Sequence, residues 1–248
     1  MSALDDLATT PFHDADAPGR ARMLSRLADT ELSVALAAEP AGDAVQLMMF
    51  PLDGQEVALA CDAEDRLSGF FGRAVAYAAM PGRVLAGLLR QTGAGLLVNP
   101  GHPSEMLLDG VTLDWLSGAL AASPVADEAR LRLTAPAPDT VAALAAPLAE
   151  RLGDMHGLIS GAALSGVRGE AGVPAAHLLL VAGCAADRQP AVAKALAEAL
   201  AFLPPQPGGV DISFSDAPPP AGALRFDLEP QPAPAPLPAR PKGPPILR

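Results

Sequence analysis

Apolar and polar positions alternate along the chain in two blocks, with a break near Ser123 and Pro124. In the first block Met23, Leu24 and Leu27 fall on one face of a helix predicted from about Arg20 to Ala28. Three runs of period two follow, each a strand signature: Leu32, Val34 and Leu36; then Val45, Leu47 and Met49; then Val57, Leu59 and Cys61. The turn residues Pro51, Leu52, Asp53 and Gly54 separate the last two, so the three predict a meander. Asp62 is placed to cap a helix, with Glu64 and Asp65 at the positive end of its dipole and Leu67, Phe70 and Phe71 as its buried stripe. A strand near Val75 to Ala78 and a helix opened by Pro81 and packing Leu85, Leu88 and Leu89 come next. A strand at Leu96 to Val98 and a helix from about Thr112 to Ala121, burying Trp115, Leu116 and Leu120, complete the block. This predicts an α+β domain whose helices cover a mixed sheet.

The second block reads strand (Leu131, Leu133), helix (Thr140 to Leu152), strand (Leu158 to Leu164), strand (His177 to Val181), helix (Arg188 to Phe202) and strand (Val210 to Phe214). The order β-α-β-β-α-β predicts a second small α+β domain of ferredoxin-like layout, with Pro147 kinking or shortening its first helix. Leu224, Phe226 and Leu228 add an edge strand. The predicted organisation is a flexible acidic arm over 1–18, an α+β domain over 19–123, a second over 124–229 and a disordered proline-rich tail over 230–248. From Pro204 onward the chain holds 14 of its 27 prolines, and Pro230 to Arg248 has no apolar period. The tail therefore reads as a polyproline-type spacer, and Pro238 to Pro241 matches PxxP too briefly to define a docking motif.

Charge and composition remove several functions. The net charge of −11 argues against nucleic acid, whose binding rests on basic patches, and against an anionic membrane surface. No apolar run reaches the ~18 residues a membrane span needs, and the N-terminal stretch, with four Asp and no Lys or Arg, is not a signal peptide. Cys61 and Cys184 lie far apart in apolar strand surroundings and read as buried free thiols, which suits a cytoplasmic location.

Among chemistry-bearing residues, Gly93-Ala94-Gly95 lacks the third glycine of a dinucleotide fingerprint and enters a strand rather than a helix. The four histidines, His13, His102, His156 and His177, have no partner at ligand spacing, so no metal or cofactor is predicted. Neither Ser160 nor Ser165 sits in a nucleophile elbow, so no catalytic residue is assigned. One segment stands out. The strand Leu96 to Val98 runs into Asn99, Pro100, Gly101, His102, Pro103, Ser104 and Glu105, a rigid polar loop on a buried base. This loop is the candidate recognition site.

Several stretches of the first block resemble the N-terminal module of the SseB family, small two-domain bacterial proteins. They are Thr30-Glu31-Leu32, Leu47 to Phe50, Leu59 to Asp62 with Arg66-Leu67, Pro81-Gly82-Arg83, and Gly95-Leu96-Leu97-Val98-Asn99-Pro100-Gly101. The layout of 124–215 is similar to that family's C-terminal domain. The resemblance implies no catalytic residues. Together with the absence of a catalytic motif it points to a cytoplasmic, non-enzymatic binding, adaptor or regulatory protein acting on a protein or small molecule. The alternatives are a metabolite-binding regulator or enzyme linked to serine or sulfur amino-acid metabolism, and a type III secretion-associated protein.

Overall fold

The computed structural model describes residues 2–39, 45–52, 54–125, 131–168 and 176–228. Asp53 of the expected turn, Asp127 of the expected junction and the whole of the tail from Pro230 lie outside the described residues.

The first sheet is built from β1 (Glu31–Ala35), β2 (Met49–Leu52), β3 (Gln55–Cys61), β4 (Tyr77–Pro81), β5 (Gly95–Val98) and β6 (Met106–Leu108). Its order is β4-β1-β3-β5-β6, with β2 sharing the β1 edge of β3. β3 and β5 run parallel, Ala60 opposite Val98, and the other pairs are antiparallel. One face is covered by α2 (Ala17–Asp29), α4 (Gly82–Thr92) and α5 (Gly110–Leu120), and among the described residues the opposite face carries only α3 (Glu64–Phe71). Alternation decides which residue goes where. Ala58, Ala60, Leu96, Val98, Met106 and Leu108 enter the large core, while Leu59 and Cys61 face Leu67 of α3.

The second sheet holds β7 (Leu133–Thr134), β8 (Gly161–Val167), β9 (Ala176–Ala182), β10 (Val210–Phe214) and β11 (Leu224–Asp227). α6 (Pro138–Gly153) and α7 (Gln189–Ala201) pack against it through Leu144, Leu148, Leu152, Val192 and Leu196.

Both blocks are thus α+β, as their patterns predict, but five expectations need correction. First, the strand order β10-β9-β8-β11 is not ferredoxin-like. β10 returns beside β9 and parallel to it after α7, and the two-residue β7 is too short to serve as a central strand, so it joins the end of β8 instead. Second, the acidic N-terminal segment is packed rather than an arm. It forms α1 (Ala3–Leu7), opened by a capping box between Ser2 and Asp5, and it buries Leu4 and Phe12 in the first core. Third, Met106 to Leu108 form a strand that the predicted set lacks; Met106 and Leu108 point into the core while Leu107 points out. Fourth, Ala63 rather than Asp62 is the residue at the α3 N-cap, and Phe70 at the far end of that helix is 50 % exposed. Fifth, Trp115 is 45 % exposed; its ring sits edge-on to Phe202 at 5.5 Å, against the other block. Pro147 lies inside α6, which nonetheless runs unbroken for 16 residues.

Candidate functional site

The carboxyl ends of the parallel neighbours β3 and β5 lie side by side, and the candidate loop springs from this edge as the connection between β5 and β6. Its first residue, Asn99, takes φ of +46°, a left-handed conformation that few residues besides glycine adopt and asparagine tolerates best. The Asn99 N–H extends the ladder to the Ala60 carbonyl at 3.0 Å. Its side chain is wholly buried and joins two segments: Oδ1 accepts from the Asp62 N–H at 3.0 Å, and Nδ2 donates to Ser104 Oγ at 2.9 Å.

The rest of the loop closes on itself. His102 N–H donates to the Asn99 carbonyl at 3.1 Å, Glu105 N–H to the His102 carbonyl at 2.9 Å, and Gly101 N–H to Glu105 Oε2 at 2.6 Å. Gly101 itself has φ of +78°. The seven candidate residues therefore separate into two groups. Asn99 and Ser104 are buried braces; Gly101, Pro103 and Glu105 are exposed, and Pro100 and His102 are half-buried.

Beneath the loop lies a polar cluster that the sequence reading did not assemble. Ser104 Oγ donates to Asp5 Oδ1 at 2.6 Å. Arg66, from α3, grips the same carboxylate with both terminal nitrogens: Nη1 donates to Oδ1 at 3.2 Å and Nη2 to Oδ2. The Ser2 N–H donates to Asp5 Oδ2 at 2.9 Å. This fork from Arg66, helped by Ser104, holds the Asp5 carboxyl well below the usual carboxylate range and raises the Arg66 guanidinium in turn. Asp62 lies 3.1 Å from Arg66 Nη1, as an ion pair without hydrogen-bond geometry, so both its carboxylate oxygens are buried with no donor. Asp62 and Arg66 are four positions apart, but Asp62 precedes the α3 N-cap, so they do not form a pair on a helical face.

Cys61 is buried beneath α3, where loss of solvation and the nearby Asp62 charge push its thiol up to about 11. Cys184, expected in an apolar interior, is half-buried just beyond β9, and burial again raises its thiol. His177 is buried, and its Nε2 accepts from the Ala137 N–H at 3.4 Å. Among the described residues no group of His, Cys, Asp and Glu has the arrangement of a metal site.

Away from the loop, a cleft of about 70 Å³ separates α2 from α6 and α7. Its charges are paired: Arg22 and Arg26 face Glu150, and Arg151 faces Asp29 and Asp154.

The molecule so described is an α+β protein of two small sheets, with a hairpin loop braced at the edge of the first. Residues 8–115 match the family model of the SseB protein N-terminal domain. No curated protein matches the chain, and no solved structure does. Among the described residues no helix is long and apolar enough to cross a membrane.

Proposed function

We propose that the protein is a non-enzymatic cytoplasmic binding or adaptor protein that recognises a protein or small-molecule partner with the outward face of its 99–105 loop. One observation carries this reading. The loop's fixed end is locked by the buried Asn99 and Ser104, while Gly101, His102, Pro103 and Glu105 stand at or near the surface on a backbone already closed by its own hydrogen bonds. Such a loop loses little conformational freedom on binding, so most of its contact energy goes to affinity.

The test must spare the brace. Glu105 holds Gly101 through one carboxylate oxygen, so Glu105→Ala would loosen the turn, whereas Glu105→Gln keeps an acceptor and removes the charge. The double variant His102→Ala/Glu105→Gln is expected to melt within about 2 °C of wild type, as surface changes do, yet to lose a partner that wild type recovers by affinity purification from its native cell. Recovery of every protein and metabolite in equal amount by both forms would refute the loop as the recognition surface.

A further inference from the structure

The cluster under the loop has two halves of different origin. Arg66, Asn99, Ser104 and Asp62 come from α3, the β3–α3 turn and the β5–β6 hairpin, all within the 8–115 segment that matches the family model. They are held without help from α1. Asn99 Oδ1 is fixed on the Asp62 N–H, its Nδ2 sets the Ser104 hydroxyl, and Asp62 sits against Arg66. The other half is a single carboxylate. Asp5 arrives from a five-residue helix preceding that segment and presents both oxygens to a preformed fork and hydroxyl. Its side chain is 2 % exposed, so the receiving groups enclose it almost completely.

A second observation points to a ligand. The side chain of Asp62 is 3 % exposed, and both of its carboxylate oxygens lack a hydrogen-bond donor. A buried carboxylate without donors is costly, and α1 supplies none. The place filled by Asp5 is therefore complete for a carboxylate but leaves an acceptor beside it unused. It also lies off the carboxyl ends of parallel strands, where open sheets commonly bind ligands.

We propose that Arg66, Ser104 and Asn99 form a carboxylate-binding site that the chain fills with its own Asp5, so that α1 acts as a removable plug. An external carboxylate bearing a hydrogen-bond donor, which Asp62 would accept from, competes for the same place. The inference is independent of the partner proposed for the outward face of the loop. The plug is small. Besides Asp5, residues 2–16 hold the fold chiefly through Leu4, Leu7 and Phe12, so they can open without global unfolding.

Chemical rescue tests the site in the full chain, with formate as the probe. Asp5→Ala vacates the carboxylate position and is expected to lower the melting temperature by about 3 °C or more. Formate should restore it saturably, with a midpoint in the millimolar range, while chloride at equal ionic strength and neutral formamide should not. Formate should also fail to rescue the double variant Asp5→Ala/Arg66→Gln. A folded Asp5→Ala protein that ignores formate overturns the proposal. If the alanine variant does not fold, the wild-type exchange measurement that follows decides. Wild type supplies a readout free of any variant. Formate should speed amide hydrogen exchange at Asp6 to Ala8 by several-fold over chloride, and unchanged exchange there would show that α1 is a fixed element.

Discussion

Two buried side chains contribute to how the protein responds to acid. Burial lowers the proton affinity of His177, so below the ordinary imidazole value of about 6.5 the unfolded chain takes up a proton that the folded chain resists. Stability is therefore whole above that pH and falls as the pH drops through it. The Arg66 fork lowers the Asp5 carboxyl, so its contribution is present above the unfolded value of about 3.9 and is lost as the pH falls further. Thermal unfolding followed from pH 8 to pH 3 should decline in two stages. His177→Gln should flatten the first, between about pH 7 and 5. Asp5→Asn should lower the neutral plateau and flatten the second. A His177→Gln profile parallel to wild type throughout would sink the first assignment. At this scale the sequence was a partial guide. Asn99 and Ser104 were visible as polar residues after a buried strand, but nothing local marks them as braces rather than contacts. Asp5 meets Arg66 across 61 positions and Ser104 across 99, and contacts that distant leave no periodic trace.

Among the elements, the Pro81-Gly82-Arg83 stretch shows what a short motif does in the fold. Pro81 ends β4 against Glu31 of β1, and the Gly82 N–H donates to the Thr30 carbonyl at 2.8 Å, just past the end of α2. A Cβ on Gly82 would run into the Leu27 carbonyl, so α4 can start this close to α2 only at a glycine. Gly82→Ala is expected to cost about 2–4 kcal/mol by forced repacking. Gly87→Ala, in the same helix with nothing within 4 Å of the added carbon, should gain about 0.5–1 kcal/mol. Urea unfolding of the two variants checks the contrast, and equal effects would refute it. Helices and strands were largely legible because each has a buried stripe of the right period. Pairing was not. Period two fixes which face of a strand is buried but not which neighbour it meets, so β10 beside β9 and β7 at the end of β8 could not be read from alternation.

At the scale of the whole molecule, charged side chains join the two sheets' layers. Arg83 contacts Asp29 of α2 and, at 3.0 Å, Glu198 of α7; Arg151 of α6 reaches Asp29 at 3.0 Å. Lys194 pairs with Glu198 at 3.0 Å and donates to the Leu120 and Ala122 carbonyls where α5 ends. Phe202 belongs to the first core although it follows α7. Glu198 is buried, and each of its two cations partly covers for the other. Arg83→Ala alone is expected to cost about 1–2 kcal/mol, whereas Arg83→Ala/Lys194→Ala should cost about 3–5 kcal/mol by leaving a buried carboxylate unpaired. We propose that the halves on either side of Ser123 to Asp127 are separable domains held by this clamp. The double variant should then unfold in two transitions where wild type shows one, and a single transition in both would refute the separation. The break in hydrophobic period marked where the blocks divide. It carried no sign of the clamp, because Arg83 and Glu198 lie 115 positions apart on faces that each look solvated by themselves.

The separation between Asp5 and Ser104 also orders events in time. During synthesis Asp5 leaves the ribosome 99 residues ahead of the hydroxyl that will hold it. At ~5–20 residues per second, that is a wait of about 5–20 s. Over the first 61 of those residues the helix lacks its guanidinium, and over all of them it lacks the complete core that shelters Leu4, so it finds its place well after it is made.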